Sequence, residues 1–325
     1  MNNQSSRIAY WDNVKAILIF LVVLGHFLLP VHSDRGRFVN SIYTWIYLFH
    51  MPAFVFVSGY FSKSFVHNGA NDIRKIIGFL ALYILYSLPH IITTKDISCL
   101  FSPSSAQWYL LCMALWYVFI PYCAKIKPIP MLIISIIIGI LIGTNNSVGS
   151  FLSLSRCIVF FPFFLAGYSF DGNAIRHRKP WIKRISVMVL FLALLCTFLF
   201  PDFFDKHSSV LYAESAYTSV LSGMLERIIW YIITSTLVIT FLCVVTRKQL
   251  FFTFIGQRTL SIYVLHRPIR GVCRYLGVYD HLSSEIQVIV FCFIISVLLV
   301  FILSEKHITI LLNKAFTANY RLLLR

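Results

Sequence analysis

The chain has 325 residues, of which 58% are hydrophobic and only 12% are charged. Ordinary soluble domains carry about 25% charged residues, so this composition excludes a soluble fold of this size and indicates an integral membrane protein. The apolar runs are continuous rather than alternating, which excludes a membrane β-barrel and predicts transmembrane helices.

Ten apolar segments follow one another along the chain, and each predicts a membrane span. They cover residues 14–30, 42–61, 76–92, 108–123, 130–144, 151–170, 185–200, 228–245, 251–266 and 286–303. The longest stretch between them, residues 201–227, could form either a short surface helix or a lid. We therefore expect an all-α integral membrane protein with about ten transmembrane helices. We expect a single domain over residues 1–325, with a short cytoplasmic basic tail over residues 305–325.

The distribution of Lys and Arg predicts the orientation of these spans. With the N-terminus in the cytoplasm, roughly twice as many cations fall in inside segments as in outside loops. The outside loops are then expected to hold Arg35, Arg37, Lys95, Lys206, Arg227, Arg267, Arg270 and Arg274. This bias predicts an even number of spans with both termini cytoplasmic. The net charge of +16 sits in short clusters without a basic arm or zinc-finger spacing, which excludes nucleic acid as a partner.

Ionisable side chains inside apolar helices are costly, so each one is a candidate site residue. Helical rise places His26 about 6 Å below the outer end of the first span, with Lys15 roughly 16 Å further in. His50 and Arg156 fall about 12 Å and about 8 Å below the outer ends of their spans. His266 is expected to close the ninth span at its outer end. Three histidines and an arginine are therefore predicted in the outer half of the membrane.

A histidine in a low-dielectric pocket is suited to take a proton from a hydroxyl that attacks an acyl carbonyl, with an arginine stabilising the oxyanion. The chain has no G-x-S-x-G, H-E-x-x-H, P-loop or dinucleotide motif, so hydride transfer, phosphoryl transfer and metalloprotease chemistry lack support. Two functions are left as alternatives by these residues: transfer of an acyl or other group across the membrane, and transport of a substrate without chemical change. Structural interpretations stay open too, because a histidine can be an interhelical hydrogen-bond partner and Lys15 beside Asp12 fits snorkelling to headgroups.

Five segments carry recognisable motifs in chain order. They are Asp12-Asn13-Val14-Lys15 with Gly25-His26; Phe49-His50-Met51-Pro52-Ala53-Phe54 with Val57-Ser58-Gly59-Tyr60; Trp108-Tyr109-Leu110-Leu111 with Leu115-Trp116; Arg156 with Phe160-Phe161-Pro162-Phe163-Phe164-Leu165-Ala166-Gly167-Tyr168; and Gly256 with Thr259-Leu260-Ser261-Ile262-Tyr263-Val264-Leu265-His266. Together they resemble the motifs of the membrane acyltransferase-3 family. Lys15 stands where that family usually has arginine, and Arg74-Lys75-Ile76-Ile77 keeps only the first cation of its R-x-x-R.

The resemblance implies an O-acyltransferase of the bacterial inner membrane. Such enzymes take an acetyl or similar acyl group from cytoplasmic acyl-coenzyme A (acyl-CoA) and place it on a hydroxyl of a cell-surface glycan or its lipid-linked precursor. It implies His26 as the general base or transient acyl carrier, with Asp12 and Lys15 as further catalytic residues. A role in binding substrate or acyl-CoA is implied for His50, Ser58, Arg74, Lys75, Trp108, Arg156, Arg258 and His266.

The implied partners are the acyl-CoA donor, the glycan or lipid-linked acceptor and the lipid bilayer. Acetyl-CoA is then a co-substrate, and we expect no bound cofactor and no metal site. The eight cysteines fit small buried side chains, because they lie mostly in apolar runs and form no C-x-x-C. The alternative from another class is a transporter or flippase for a glycan precursor that uses the same polar groups. A scaffold for envelope assembly is the third, and the sequence indicates no oligomeric state.

Overall fold

A computed structural model shows the chain as a set of α-helices. The structure describes residues 2–34, 36–67, 73–103, 106–145, 151–172, 179–213 and 215–321, and these ranges contain no strand. The helices are α1 Asn2–Leu28, α2 Arg37–His67, α3 Ile73–Thr94, α4 Gln107–Cys123, α5 Pro128–Leu141, α6 Leu154–Ser169, α7 Pro180–Leu199, α8 Pro201–Tyr212, α9 Val220–Val244, α10 Thr259–Tyr275, α11 Glu285–Leu303 and α12 Lys306–Arg321. Short 3-10 turns include Thr253–Gln257 before α10 and Val278–His281 after it.

Local sequence explains where several helices begin. Pro128 and Pro180 open α5 and α7, at positions where a helix needs no backbone N–H donor. Helix α11 opens with a capping box: the Ser284 hydroxyl accepts from the Gln287 N–H, and the Gln287 side chain accepts from the Ser284 N–H. The predicted spans begin at residues 130, 185 and 286, which lie two, five and one residues after the observed helix starts.

Within the described ranges, six helical segments are long and apolar enough to cross a membrane. They are Ala9–Leu28, Arg37–Val66, Phe151–Ser169, Pro180–Leu199, Val220–Val244 and Glu285–Leu303. Gln107–Cys123 and Pro128–Thr144 are apolar but shorter. Over the residues that the structure describes, α3 and α10 meet neither description. The all-α fold is confirmed, whereas the count of ten spans and the cytoplasmic termini stay predictions.

The predicted ninth span is wrong in its boundaries. Residues 251–266 do not form one helix, because Thr253–Gln257 is a 3-10 turn and α10 begins at Thr259. Helix α10 then continues through Pro268 to Tyr275, which places His266 in its middle rather than at its end. A hydropathy reading stops at the first arginines, whereas an amphipathic helix carries charges on one face without ending. Helix α12 lies within residues 305–325, and the assignment of these residues to a cytoplasmic basic tail stays a prediction.

The helices group into two units, and the division falls within α2. Unit 1 consists of Met1–Phe54, Asp171–Lys206 and Ile233–Leu312. Unit 2 consists of Val55–Phe170, His207–Ile232 and Asn313–Arg325. The single domain over residues 1–325 stays a prediction.

Within unit 1, α1 is the most buried of the candidate spans: 83% of its apolar window is buried, compared with 11% for α7. The Tyr10 hydroxyl of α1 donates to the Leu242 carbonyl oxygen of α9 at 2.7 Å. Trp45 Nε1 of α2 donates to the Leu190 carbonyl oxygen of α7 at 3.0 Å. Polar side chains act in this way as interhelical links in apolar surroundings. Because α1 is interior, its polar residues face other helices rather than lipid.

Within unit 2, α2 and α6 meet at backbone contact. A Cβ at Gly59 would overlap the main chain of Phe164, and a Cβ at Gly167 would overlap the main chain of Phe56. Small residues at a crossing allow two helix backbones to approach this closely. Both glycines belong to the motif segments, so part of each motif serves helix packing.

Candidate active site

Unit 1 holds the three predicted site histidines, one on each of α1, α2 and α10. His26, His50 and His266 are 8%, 2% and 0% exposed. The rings of His26 and His266 have centroids 5.1 Å apart and are tilted by 36°. The His50 ring contacts that of Tyr47, and Tyr47 in turn packs against Gly25, the residue before His26. The structure therefore gathers in one place three residues that are far apart in the sequence.

Backbone hydrogen bonds determine the tautomer of two of these rings. His50 Nδ1 lies 2.7 Å from the Ile46 carbonyl oxygen, and His266 Nδ1 lies 3.0 Å from the Ile262 carbonyl oxygen. A carbonyl oxygen only accepts, so Nδ1 carries the proton in each ring and Nε2 carries the lone pair of the neutral form. His26 differs, because its buried Nδ1 has no hydrogen-bond partner among the described residues.

The backbone carbonyl oxygens of His26 and Phe27 accept hydrogen bonds from side chains on three other segments. Arg270 Nη1 of α10 donates to the His26 carbonyl oxygen at 3.3 Å. The Tyr279 hydroxyl and the Cys292 thiol donate to the Phe27 carbonyl oxygen at 3.1 Å and 3.5 Å. Carbonyls in the last turn of a helix lack helical partners, and a cation suits that end of the helix dipole. The position of His26 is thus fixed from outside its own helix.

Asp12 and Lys15, the other two predicted catalytic residues, form an ion pair toward the opposite end of the α1 span. Lys15 Nζ lies 2.9 Å from Asp12 Oδ1, and Gln257 Nε2 donates to Asp12 Oδ2 at 2.9 Å. Helical rise separates Lys15 from His26 by about 16 Å, so the pair does not touch that histidine. The Lys15 side chain is 21% exposed, which leaves it accessible to a ligand.

Asn13 joins this end of α1 to the segment between α9 and α10. Its Nδ2 donates to the carbonyl oxygens of Thr246 and Lys248 at 3.0 Å and 2.9 Å. Its Oδ1 accepts from the Thr253 hydroxyl at 2.6 Å. Asn13 is fully buried, so these bonds are the partners that replace water for its amide. These bonds hold the segment that precedes α10, which includes Gly256, against α1.

Arg258 lies away from the histidines. Its Nη1 donates to the Ser304 carbonyl oxygen at 2.7 Å, and its guanidinium lies 5.4 Å from the Phe254 ring. Helical rise places it about 12 Å from His266 along α10. In the structure Arg258 links the start of α10 to the end of α11, and its role in ligand binding stays a prediction.

The remaining predicted residues lie in unit 2. The Ser58 and Tyr109 hydroxyls are 2.6 Å apart. Arg156 Nε donates to the Tyr212 carbonyl oxygen at 3.2 Å, and its guanidinium lies 5.8 Å from the Trp108 ring. These contacts form a second polar cluster around Ser58, Trp108 and Arg156.

Arg74 and Lys75 lie near the start of α3 in the same unit. Arg74 is exposed, and Lys75 is half-buried with its ammonium 5.7 Å from the rings of both Phe65 and Tyr117. Partial exposure leaves these cations able to meet an anionic ligand. Their predicted role in holding acyl-CoA is not tested by these contacts.

Two buried arginines were missed by sequence reasoning. Arg227 lies in α9 with 2% exposure, and its Nε donates to the Tyr217 hydroxyl at 3.4 Å. Arg270 lies in α10 with 9% exposure. Their assignment to outside loops is wrong because helices extend past charged residues that end a hydropathy window. The i,i+4 spacing of His266 and Arg270, which puts both on one helix face, was the signal that could have found Arg270.

Unit 1 also contains an apolar cavity of about 450 Å³, separate from the predicted site residues. It is lined by Leu48, Ala193, Cys196, Phe200, Phe203, Phe204 and Ile233.

Across the part of the chain that the structure describes, no group of three or more His, Cys, Asp or Glu is arranged to hold a metal ion. The histidine cluster provides an imidazole with a lone pair in buried surroundings, which is suited to proton transfer.

Comparison with known proteins identifies a family and a relative. The family model described as an acyltransferase domain matches residues 8–305. The nodulation protein NolL of Sinorhizobium fredii (strain NBRC 101917 / NGR234) is 43% identical over 61 residues, which are 18% of this chain and 17% of that protein. The aligned region is thus a small part of that relative's length. No solved structure matches the chain.

Proposed function

Because the chain belongs to the acyltransferase family, we propose that it moves an acetyl or similar acyl group from cytoplasmic acyl-CoA to a hydroxyl of a cell-surface glycan or its lipid-linked precursor. The chain is a multi-pass membrane protein, and we place it in the bacterial inner membrane. The observation that carries the proposal is the buried His26, whose Nδ1 lacks a partner among the described residues and whose ring adjoins His266.

His26 acts as the general base in this reaction. The acceptor oxygen attacks the thioester carbonyl carbon, and as the C–O bond forms the hydroxyl proton moves to a ring nitrogen of His26. The adduct then collapses, the C–S bond breaks, and the same proton passes to the coenzyme A thiolate. The products are an ester and a free thiol, so electrons and protons balance without an added reactant. Direct transfer needs no acyl group resting on the protein.

Lys15 and the α3 cations support donor binding in this proposal. With the N-terminus cytoplasmic, Lys15 lies on the side from which acyl-CoA arrives, and its ammonium suits a coenzyme phosphate. Asp12 and Gln257 hold the lysine end of α1 in place. Arg74 and Lys75 are the further candidates for the coenzyme phosphates.

The test uses membranes that contain the full chain, supplied with [14C]acetyl-CoA. The glycan fraction should gain alkali-labile label, because an O-acetyl ester is hydrolysed by base. His26→Ala should lower the rate by about 10²–10⁴-fold, which is the usual contribution of general acid–base catalysis. His281→Ala, at an exposed histidine in the turn after α10, is the matched control and should keep full activity.

Full activity in folded His26→Ala protein would reject His26 as the base. A wild-type protein that labels no glycan but moves unlabelled glycan precursor across the membrane would favour the transporter instead.

A further inference from the structure

We propose that His266 is a positioning residue for His26. Its Nε2 accepts a hydrogen bond from Nδ1–H of His26 during the reaction, so that Nε2 of His26 presents its lone pair to the acceptor hydroxyl. The inference rests on the proposed function, because it takes His26 as the general base.

The first support is the tautomer of His266. Its Nδ1–H is committed to the Ile262 carbonyl oxygen at 3.0 Å, so the neutral ring has its lone pair on Nε2. That atom is fully buried and has no hydrogen-bond partner among the described residues. A buried acceptor without a partner costs about 1–3 kcal/mol, so a donor that can reach it stabilises the protein.

The second support is the distance between the rings. Their centroids lie 5.1 Å apart. An N–H···N hydrogen bond of about 3 Å between the ring edges, added to the radii of two five-membered rings, requires a centroid distance of this size. The bond is not made in the structure, and a rotation of the His26 ring can close it without breaking another hydrogen bond among the described residues. Catalytic hydrogen bonds are often long before substrates bind and tighten afterwards.

The third support is the shortage of other acceptors for His26 Nδ1–H. Serine hydrolases use a buried carboxylate to hold the base in one tautomer. In the described part of this chain no carboxylate forms a hydrogen bond or ion pair with the His26 ring. Asp12 is about 21 Å away along α1 and is already bonded to Lys15 and Gln257.

His50 does not fill this role although its tautomer is determined in the same way. Its ring packs against Tyr47, with centroids 4.7 Å apart. Of the two histidines with a free Nε2 lone pair, only His266 has its ring described in direct contact with His26. A neutral acceptor also avoids placing an extra charge in an apolar site, which would be expensive.

The experiment measures kcat and KM for [14C]acetyl-CoA in membranes that carry four variants: His26→Ala, His266→Ala, His266→Gln and the double variant with Ala at both positions. His266→Ala should lower kcat by about 10²-fold, the usual cost of a misplaced catalytic group. KM should change by less than about twofold, because the residue does not bind the donor. His266→Gln should keep at least about tenfold more activity than the alanine variant, since its amide oxygen accepts the same bond.

The double variant distinguishes positioning from an independent role. If His266 acts only through His26, the double variant should be as active as His26→Ala alone, because residues that act as a unit are non-additive. Losses that multiply, or full activity in His266→Ala, would overturn the inference while the proposed function stands. If the alanine variant does not fold, His266→Gln decides: a kcat nearer to wild type supports the inference, and a kcat equal to that of His26→Ala overturns it. Wild-type protein that labels no glycan would defeat the proposed function itself.

Discussion

Replacing Gly256 by alanine should separate the segment before α10 from α1. A Cβ at this position would lie 2.6 Å from the Asp12 Cα and closer still to the Asp12 carbonyl oxygen. Cβ atoms in proteins essentially never come within 3.0 Å of another group, and both obstructing atoms are backbone. The main chain itself therefore has to move.

The size of that movement follows from the contact. Bringing the Asp12 Cα from 2.6 Å to an ordinary 3.4 Å needs a shift of at least about 0.8 Å, and clearing the nearer carbonyl oxygen needs a larger one. Such a shift stretches the neighbouring 2.9 Å bond from Gln257 to Asp12 beyond a good hydrogen-bond length. We expect a loss of about 1–3 kcal/mol from overpacking. Activity should fall as well, because the same segment positions the start of α10, and α10 carries His266.

Gly271→Ala is the matched control for this substitution. Gly271 lies in α10, and nothing lies within 4 Å of a Cβ built there. Alanine in an open helical position should stabilise the protein by about 0.5–1 kcal/mol. Thermal unfolding of the two variants in detergent, followed by the [14C]acetyl-CoA assay, provides the comparison. If Gly256→Ala unfolds at the wild-type temperature with wild-type activity, the close approach of the segment to Asp12 is wrong.

Two further substitutions test how α1 is held. Asn13→Asp keeps the shape of the side chain but removes both donor bonds. It should lower the free energy of unfolding by about 1–3 kcal/mol in a thermal melt, because the introduced carboxylate oxygen is fully buried without a donor and faces two carbonyl oxygens. A variant as stable as wild type would show that those bonds contribute nothing. Arg270→Met should reduce acyl transfer by about 10²-fold by releasing the main chain of His26. Arg274→Met, at an exposed position on the same helix, should not, and equal losses in the two would refute the positioning argument.

Parts of the site could be predicted from local spacing. The segment Asp12 to His26 was predicted as one helix with a polar residue toward each end, and α1 shows that arrangement. The order of the motif segments predicted the family, and the match over residues 8–305 confirms it. The class was predictable because the hydrophobic effect sums over consecutive residues, and an unbroken apolar run predicts a span without knowledge of its neighbours.

The extent of α10 could not be predicted in the same way. A hydropathy window ends at Arg267, whereas the helix continues to Tyr275 because its own hydrogen bonds and its buried face persist. For that reason Arg270 was predicted in a loop although it donates to the His26 carbonyl oxygen. The role expected for Arg258 was drawn from its place in a motif, and its bond to Ser304 depends on where α11 ends.

The sequence by itself determined that the chain is helical, apolar enough for a membrane and a member of one enzyme family, because each property is carried by residues close together in the chain. Only the tertiary structure decided which polar groups meet. Thr253 reaches Asn13 across 240 residues of sequence, and the rings of His26 and His266 meet although they belong to the first and tenth helices. Such contacts depend on how helices pack, and no local periodicity encodes the distance between two side chains on different helices.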